Sequence, residues 1–367
     1  MKKYISIYEK IKKDITEGIY KTGSKLPSKR ILADEWGVSI ITVEHAYELL
    51  SEEGYIESVE KSGYYVIFET GDLYFGKSRD NDDTNSAASQ DDNDLIKLKD
   101  NENPVFYAAG DESYISFDIY AKTVRKVLSM NPYEVLEKSP TFGLDKLRIS
   151  IKDYLLRSRN INVRKEQIMI GAGAEYLYSM IVRTLGRDKI YGIESPGYQR
   201  IKEVYENEGA SVETLKLGKD GIKSSELVKS RANILHITPY RSFPTGVSAS
   251  AGKKNEYLKW AAERGGIIIE DDFESEFTPS RKTVDTIYSM DTNGSVIYVN
   301  TFTKTIAPSI RMAYMLLPLS LLDTFKEKAS FYSCPVPTLE QLTVSELLES
   351  GEFERHINRV RRNLRKK

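Results

Sequence analysis

The sequence predicts an α/β protein, a mostly parallel sheet covered by helices, preceded by a small winged helix-turn-helix. Three observations predict this. From about residue 104, short Ile- and Val-rich runs alternate with amphipathic helical stretches. The first 69 residues read as helices followed by a hairpin. Between them lies a polar joint whose middle, SRDNDDTNSAASQDDND, holds six aspartates and no large apolar residue. Such a segment buries too little surface to offset its ordering entropy. The expected organisation is a winged-helix domain over 1–69, a flexible acidic linker over 70–103 and a large domain over 104–367.

In the first segment, Ile5, Tyr8, Ile11 and Ile15 recur at helical spacing and predict a helix over 3–17, stopped by Gly18. Ser28 is placed to N-cap a second helix carrying Ile31, Leu32 and Trp36. Gly37 ends that helix. Ser39 then caps a third, whose Val43, Ala46, Tyr47 and Leu50 form an apolar stripe. Two short helices joined by a three-residue, glycine-containing turn are helix-turn-helix geometry. GYIESVEKSGYYVIFE continues as two strands around KSG, a wing. Residues 1–69 hold 10 Lys+Arg and 12 Asp+Glu, yet nine of those bases lie between Lys2 and Arg30, where only three acids lie. One basic face toward phosphates is compatible with the acidic total.

In the large domain, QIMIGAG, KIYGIES, NILHITP, GIIIEDDF, VIYVNTF and MAYMLLP read as strands, apolar on both faces as in buried sheets. Ligands of such sheets sit beyond the strands' carboxyl ends. The polar stretches Gly171–Glu175, Ser195–Tyr198, Tyr240–Gly246, Asp271–Phe273 and Thr301–Arg311 all follow strands. Each alone has an ordinary structural reading: a tight turn, a solvated acidic loop, a surface lysine. Their coincidence at strand ends points to one site.

The 367 residues are 40% hydrophobic and 29% charged, with a net charge of −1. No run of 18 apolar residues suggests a membrane span, and MKKYISIYEKIKKD is too polar for a secretory signal. The single cysteine, Cys334, excludes an intramolecular disulfide and suits a reducing cytoplasm. Three scattered histidines give no metal-ligand spacing, so no metal site is expected.

The line GxxLPSxRxLAxxxGVSxxTVxxAYxxLxxxGYI, present from Gly23 to Ile56, resembles the winged helix of GntR-family regulators. By that resemblance Ser28, Arg30, Ser39, Thr42, Lys61 and Gly63 would meet a double-stranded DNA operator, with the third helix in the major groove. The family often has arginine after "VS"; Ile40 stands here. The series SPGY…TPYRSFPTG…EDDFESEF…TFTKTIAPSIR resembles fold-type-I aminotransferases. The whole chain resembles the MocR-type subfamily, in which a GntR winged helix is fused to an aminotransferase-like domain that binds pyridoxal 5'-phosphate.

The resemblance implies residue roles. Lys304 would form the internal aldimine. Asp271 would pair with the pyridine nitrogen, and Tyr198 would stack on the ring. Arg311, Thr301 and Thr303 would bind the phosphate, with backbone N–H groups of Gly173 and Ala174 at a helix start. Arg200 would reach the acid group of a small amino-compound effector. It also implies a head-to-tail homodimer in which each winged helix rests on the other chain's large domain.

Three departures qualify it. Phe273 replaces a tyrosine, and Phe243-Pro244-Thr245-Gly246 replaces an asparagine-led motif, so two groups on the cofactor's phenolic oxygen are lost; Tyr240 or Arg241 could substitute. The sequence ends at HINRVRRNLRKK, before the small domain that carries a substrate-gripping arginine in the family; either the chain has been cut there or the protein reads its ligand differently. These departures favour a regulator sensing an amino compound, or the cofactor itself, over a working aminotransferase with an accessory DNA-binding module. The basic end reads as a solvated helix face.

Overall fold

The computed structural model describes residues 3–59, 62–68, 114–278 and 285–366. The 70–103 linker and Lys61 at the wing tip lie outside these residues.

Helix α1 (Lys3–Thr16) buries Tyr4, Ile7, Tyr8, Ile11 and Ile15 along one stripe. Helix α2 (Lys29–Trp36) begins at Ser28, whose side chain accepts the Ile31 N–H, and ends at Gly37 in the left-handed region with φ 58°. Helix α3 (Ile40–Glu52) begins at Ser39, whose side chain accepts the Thr42 N–H at 3.3 Å. Both caps are those expected from the sequence. Val43, Ala46, Tyr47 and Leu50 are buried as read. In α2 only Leu32 of the three expected apolar residues is buried; Ile31 and Trp36 face outward. The wing is an antiparallel pair, β1 (Ile56–Val59) and β2 (Gly63–Val66).

The large domain contributes helices α4 (Phe117–Met130) and α5 (Asp145–Arg159), and then alternates. In chain order come β3 (Ile168–Gly171), α6 (Ala174–Leu185), β4 (Ile190–Ser195), α7 (Gln199–Asn207), β5 (Ser211–Lys216) and α8 (Ser224–Lys229). They are followed by β6 (Ile234–Ile237), α9 (Ala251–Arg264), β7 (Ile267–Asp271), α10 (Ile287–Met290), β8 (Val296–Thr301) and β9 (Ala313–Leu316). The chain closes with α11 (Leu322–Ala329), α12 (Thr338–Glu349) and α13 (Glu352–Leu364). The strands form one sheet in the order β3-β9-β8-β7-β6-β4-β5. Among these strands β9 alone runs against the others, pairing antiparallel with both β3 and β8. The alternation predicted a mostly parallel sheet, and the sheet is one. The reversal of β9 has a local cause: the β8–β9 connection is too short for a helical crossover, so the chain can only turn back. The edge strand β5 escaped the sequence reading because SVETLK is largely exposed and polar.

Side chains alternate across the sheet. On one face Met169, Ile193, Ile269, Val299 and Met315 pack on α6, α7 and α11. On the other, Ile168, Ile170, Tyr298, Tyr314 and Leu316 pack on α5, α12 and α13. The basic C-terminal helix is a packed element: Phe353, Ile357 and Val360 are buried, and Arg361 Nε donates to the Glu276 carbonyl at 2.6 Å.

Candidate cofactor site and DNA-reading face

Strands β3, β4, β6, β7 and β8 end on the same edge of the sheet, and the polar stretches gather there. The turn from β8 into β9 carries Lys304 and Arg311. Thr301 and Thr303 brace this turn. Thr301 Oγ1 donates to the Met312 carbonyl at 3.2 Å, and Thr303 Oγ1 to the Ile310 carbonyl at 3.1 Å. Their protons therefore hold the loop's shape. Lys304 Nζ lies 5.9 Å from the centroid of the Phe273 ring.

Arg311 reaches the start of α6. Its Nη2 donates to Glu175 Oε2 at 3.1 Å. Arg200, at the start of α7, brings Nη1 to 3.6 Å from Glu175 Oε1. Gly173 precedes α6 at φ +94°, and a Cβ there would stand 2.9 Å from Arg311 Nη2. A glycine is required both by that backbone angle and by the approach of the guanidinium. The Gly173 N–H is taken by the Gly171 carbonyl at 3.0 Å, so the Arg311 guanidinium and the first N–H groups of α6 are the donors gathered at this helix N-terminus, a setting that suits an anion.

Asp271 and Asp272 part company at the end of β7. Asp271 lies on the face of His236, α6 and α7. It accepts the Tyr178 hydroxyl proton from α6, and its Oδ2 stands 3.5 Å from His236 Nε2. The other ring nitrogen, Nδ1, is 2.5 Å from the Tyr205 hydroxyl. Burial, then the Asp271 charge, pushes the Tyr178 phenol well above its ordinary range, so it stays a proton donor. Asp272 faces the opposite side, where it meets Arg159 at 3.1 Å and the Tyr298 hydroxyl at 2.8 Å. Arg159 also meets Glu276 at 3.0 Å. Of the two aspartates, only Asp271 is presented to the site.

Tyr198 stands just before α7, edge-on to Phe243 at 6.1 Å, and together they wall the site. Arg241, at φ 51°, lies over the Tyr240 ring at 5.5 Å. Beneath the site Glu194 is buried and accepts the Ser242 hydroxyl proton. Burial pushes its carboxyl up to about 7, against the hydrogen bonds from Ser242 and the Thr238 backbone, with Asp271 adding to the rise.

Sequence reasoning did not assign roles to Tyr178, Tyr205, His236, Glu194 or Glu175. Tyr178 reads as one more large residue on an amphipathic helix, and His236 as a lone polar residue in an apolar strand. Only the sheet's alternation brings them to Asp271.

In the winged helix, Ser28, Arg30 and Ser39 are exposed and Thr42 is half-buried. Ser39 Oγ and Thr42 Oγ1 are 2.9 Å apart at the start of α3. Gly63, at φ +124°, lets the Lys25 stem approach the wing. Ile31, Ile40 and Ile41 are exposed beside them.

The residues present suit a pyridine ring bearing a phosphate. A lysine, a buried aspartate with a fixed proton donor, an aromatic wall and a glycine-shaped anion cradle converge on one edge. The buried Nε2 of His236, which has no hydrogen-bond partner, is aimed at that aspartate.

A family model described as bacterial regulatory proteins, gntR family, matches residues 3–66. The HTH-type transcriptional regulator YdeL of Bacillus subtilis is 32% identical over 99% of this chain and 77% of its own length. The probable rhizopine catabolism regulatory protein MocR of Rhizobium meliloti is 26% identical over 97% of this chain and 73% of its own. Kynurenine aminotransferase of Pyrococcus horikoshii, solved with PMP, superposes with a TM-score of 0.63 at 22% identity. That match covers 68% of this chain and 64% of the aminotransferase, so the present chain spans just under two thirds of that enzyme's length. It fixes the fold of the large domain as aminotransferase-like. With a gntR winged helix in front of such a domain, and near full-length similarity to YdeL, the chain belongs to the MocR-type subfamily of GntR-family transcriptional regulators.

Proposed function

We propose that this regulator holds pyridoxal 5'-phosphate on Lys304 and couples the state of that site to binding of a double-stranded DNA operator. The observation that carries the reading is the Arg311 guanidinium seated against Gly173 at the N-terminus of α6, on the same sheet edge as Lys304 and Asp271. When bound, the cofactor supplies an aldehyde that condenses with primary amines and a pyridine that withdraws electrons. The chain's own residues do the rest. Lys304 presents the amine. Arg311 and the first N–H groups of α6 bind the phosphate, with Thr301 and Thr303 shaping the turn beside it. Asp271, held by Tyr178, would accept a hydrogen bond from the pyridine nitrogen's N–H and keep that nitrogen protonated. Tyr198 covers the ring. Arg200 lies exposed at the mouth, where it would pair with an effector's carboxylate.

In the winged helix, Arg30 and Lys61 would meet phosphates, as would the Gly63 backbone. Ser28, Ser39 and Thr42 would position α3 in the major groove. Ile40 and Ile41 at the front of α3 present apolar surface, which suits thymine methyls. The regulator would act in the cytoplasm as a head-to-tail homodimer. If the 70–103 segment is the flexible linker its composition predicts, it would span about 30 Å, enough to let the winged helix rest on a partner's large domain as well as on its own.

Turnover as an aminotransferase is the second reading. The lost groups at Phe273 and Phe243 count against it. Adding pyridoxal phosphate to the purified chain should produce a visible absorbance band and change retention of an operator fragment. Repeated conversion of an amino donor would favour the enzyme instead.

A further inference from the structure

The winged helix and the large domain meet at a buried ionic junction. From the winged helix come Tyr8 and Lys12 of α1, with Glu53 and Tyr55 after α3. From the large domain come Asp285, Lys254 and the first residues of α9. Lys12 Nζ binds the Asp285 carboxylate and lies 3.3 Å from Glu53 Oε2. It also donates to the Tyr8 hydroxyl at 3.0 Å, which in turn donates to Glu53 at 2.6 Å. The rings of Tyr8 and Tyr55 cover the ammonium at 5.4 and 5.1 Å. Lys254 Nζ donates to the Asp285 carbonyl at 2.7 Å. The backbone joins in: the Ala251 N–H, at the open start of α9, donates to the Glu53 carbonyl at 3.0 Å. Gly54 sits so close that a Cβ would stand 3.0 Å from Ser250 Cβ.

Half of these charges are buried and half lie at the rim, where the Lys12 and Asp285 side chains are 18% and 29% exposed. Glu53 is 7% exposed and Lys254 5%. Burial lowers the Lys254 pKa against the pull of Glu53, Glu270 and Asp285. For Lys12 burial also pulls downward, yet Glu53, Tyr55 and Asp285 overcome it and the net shift is upward. Two ammonium groups and two carboxylates meet here, and losing Lys12 leaves the buried Glu53 carboxylate without its cation.

The junction continues to the cofactor site. Glu270 directly precedes Asp271 on β7. Its two carboxylate oxygens accept the N–H groups of Ile287 and Tyr288, each at 2.8 Å. Those residues open α10, two positions beyond Asp285. One residue of β7 therefore faces the site while the next fixes the segment that grips Lys12.

We infer that this junction is the contact through which the site at Asp271 and the winged helix bias one another. The inference rests on the reading of Lys304 and Asp271 as a pyridoxal phosphate site. Any such coupling is reciprocal: loading the site changes the hold on α1, and loosening α1 changes affinity for the cofactor.

The test is hydrogen exchange of the full chain, with and without pyridoxal phosphate. K12E or D285K should each speed exchange in α1 by about tenfold or more, since each sets a like charge beside Glu53 or Lys254. Added pyridoxal phosphate should alter α1 exchange in the wild type. In K12M it should leave α1 unchanged, although the visible band still forms. Wild-type α1 protection in both single reversals would overturn the junction. A band that forms in the wild type with no change in α1, or with the same change in K12M, would overturn the coupling. No band in the wild type refutes the cofactor reading and the coupling with it, while the single reversals still decide whether the junction holds.

Discussion

Glu175 and Arg311 form an ion pair of 3.1 Å inside the proposed phosphate cradle. A fixed carboxylate there competes with a phosphate for the guanidinium and repels it. Glu175→Gln should therefore tighten pyridoxal phosphate binding. Both groups are partly exposed, so solvent screening keeps the gain near 0.5–1 kcal/mol, or about two- to fivefold. Titration by fluorescence checks this; an unchanged or weaker affinity would place the phosphate elsewhere.

Arg159 is buried between Asp272 and Glu276. Arg159→Met leaves two buried carboxylates without a cation. The expected loss is about 3–5 kcal/mol, read as a lower denaturant midpoint. A loss well below that would mean the cluster is hydrated.

Glu194 has its carboxyl pushed up to about 7 by burial. An acid whose pKa rises on folding lowers stability as pH climbs from its unfolded value. The cost begins above the ordinary value of 4.5 and is complete once pH passes about 7. At roughly 1.4 kcal/mol per pKa unit it is on the order of 3 kcal/mol. Glu194→Gln, whose amide oxygen still accepts from Ser242, should melt higher than wild type at pH 8 and show no such gain at pH 4. An equal gain at both pH values would assign the effect to packing.

The exposed Ile40 and Ile41 bear on operator choice. In an operator found by selection, deoxyuridine in place of thymine at bases under α3 removes only methyl groups. Wild type should lose affinity by about tenfold, within the 1–3 kcal/mol usual for one base contact. Ile40→Ala/Ile41→Ala should lose that discrimination. Arg30→Ala should instead weaken all sequences alike and reduce the salt slope by about one.

Much of this was legible in the sequence because its signals are local. Ser28, Gly37 and Ser39 specify helix ends by their own hydrogen bonds and backbone angles. Strand ends after GIIIED and VIYVNT place Asp271 and Lys304 on one edge once the sheet is taken as parallel. What was not legible depends on contacts between distant segments. His236 gains meaning only beside β7, and Tyr178 only where α6 crosses that strand. Lys12 and Asp285 are 273 residues apart, and no periodicity links them. Thr301 and Thr303 gain a second role that residue type does not announce: besides standing beside Lys304, their hydroxyls brace the turn that carries it.

The most direct test of the central claim is the visible absorbance of the purified chain titrated with pyridoxal phosphate, wild type against Lys304→Ala. Lys304 as the anchoring amine predicts a saturable band in the wild type that is resistant to dialysis and missing from the variant. An identical band in both proteins, or none in a folded wild type, would contradict it.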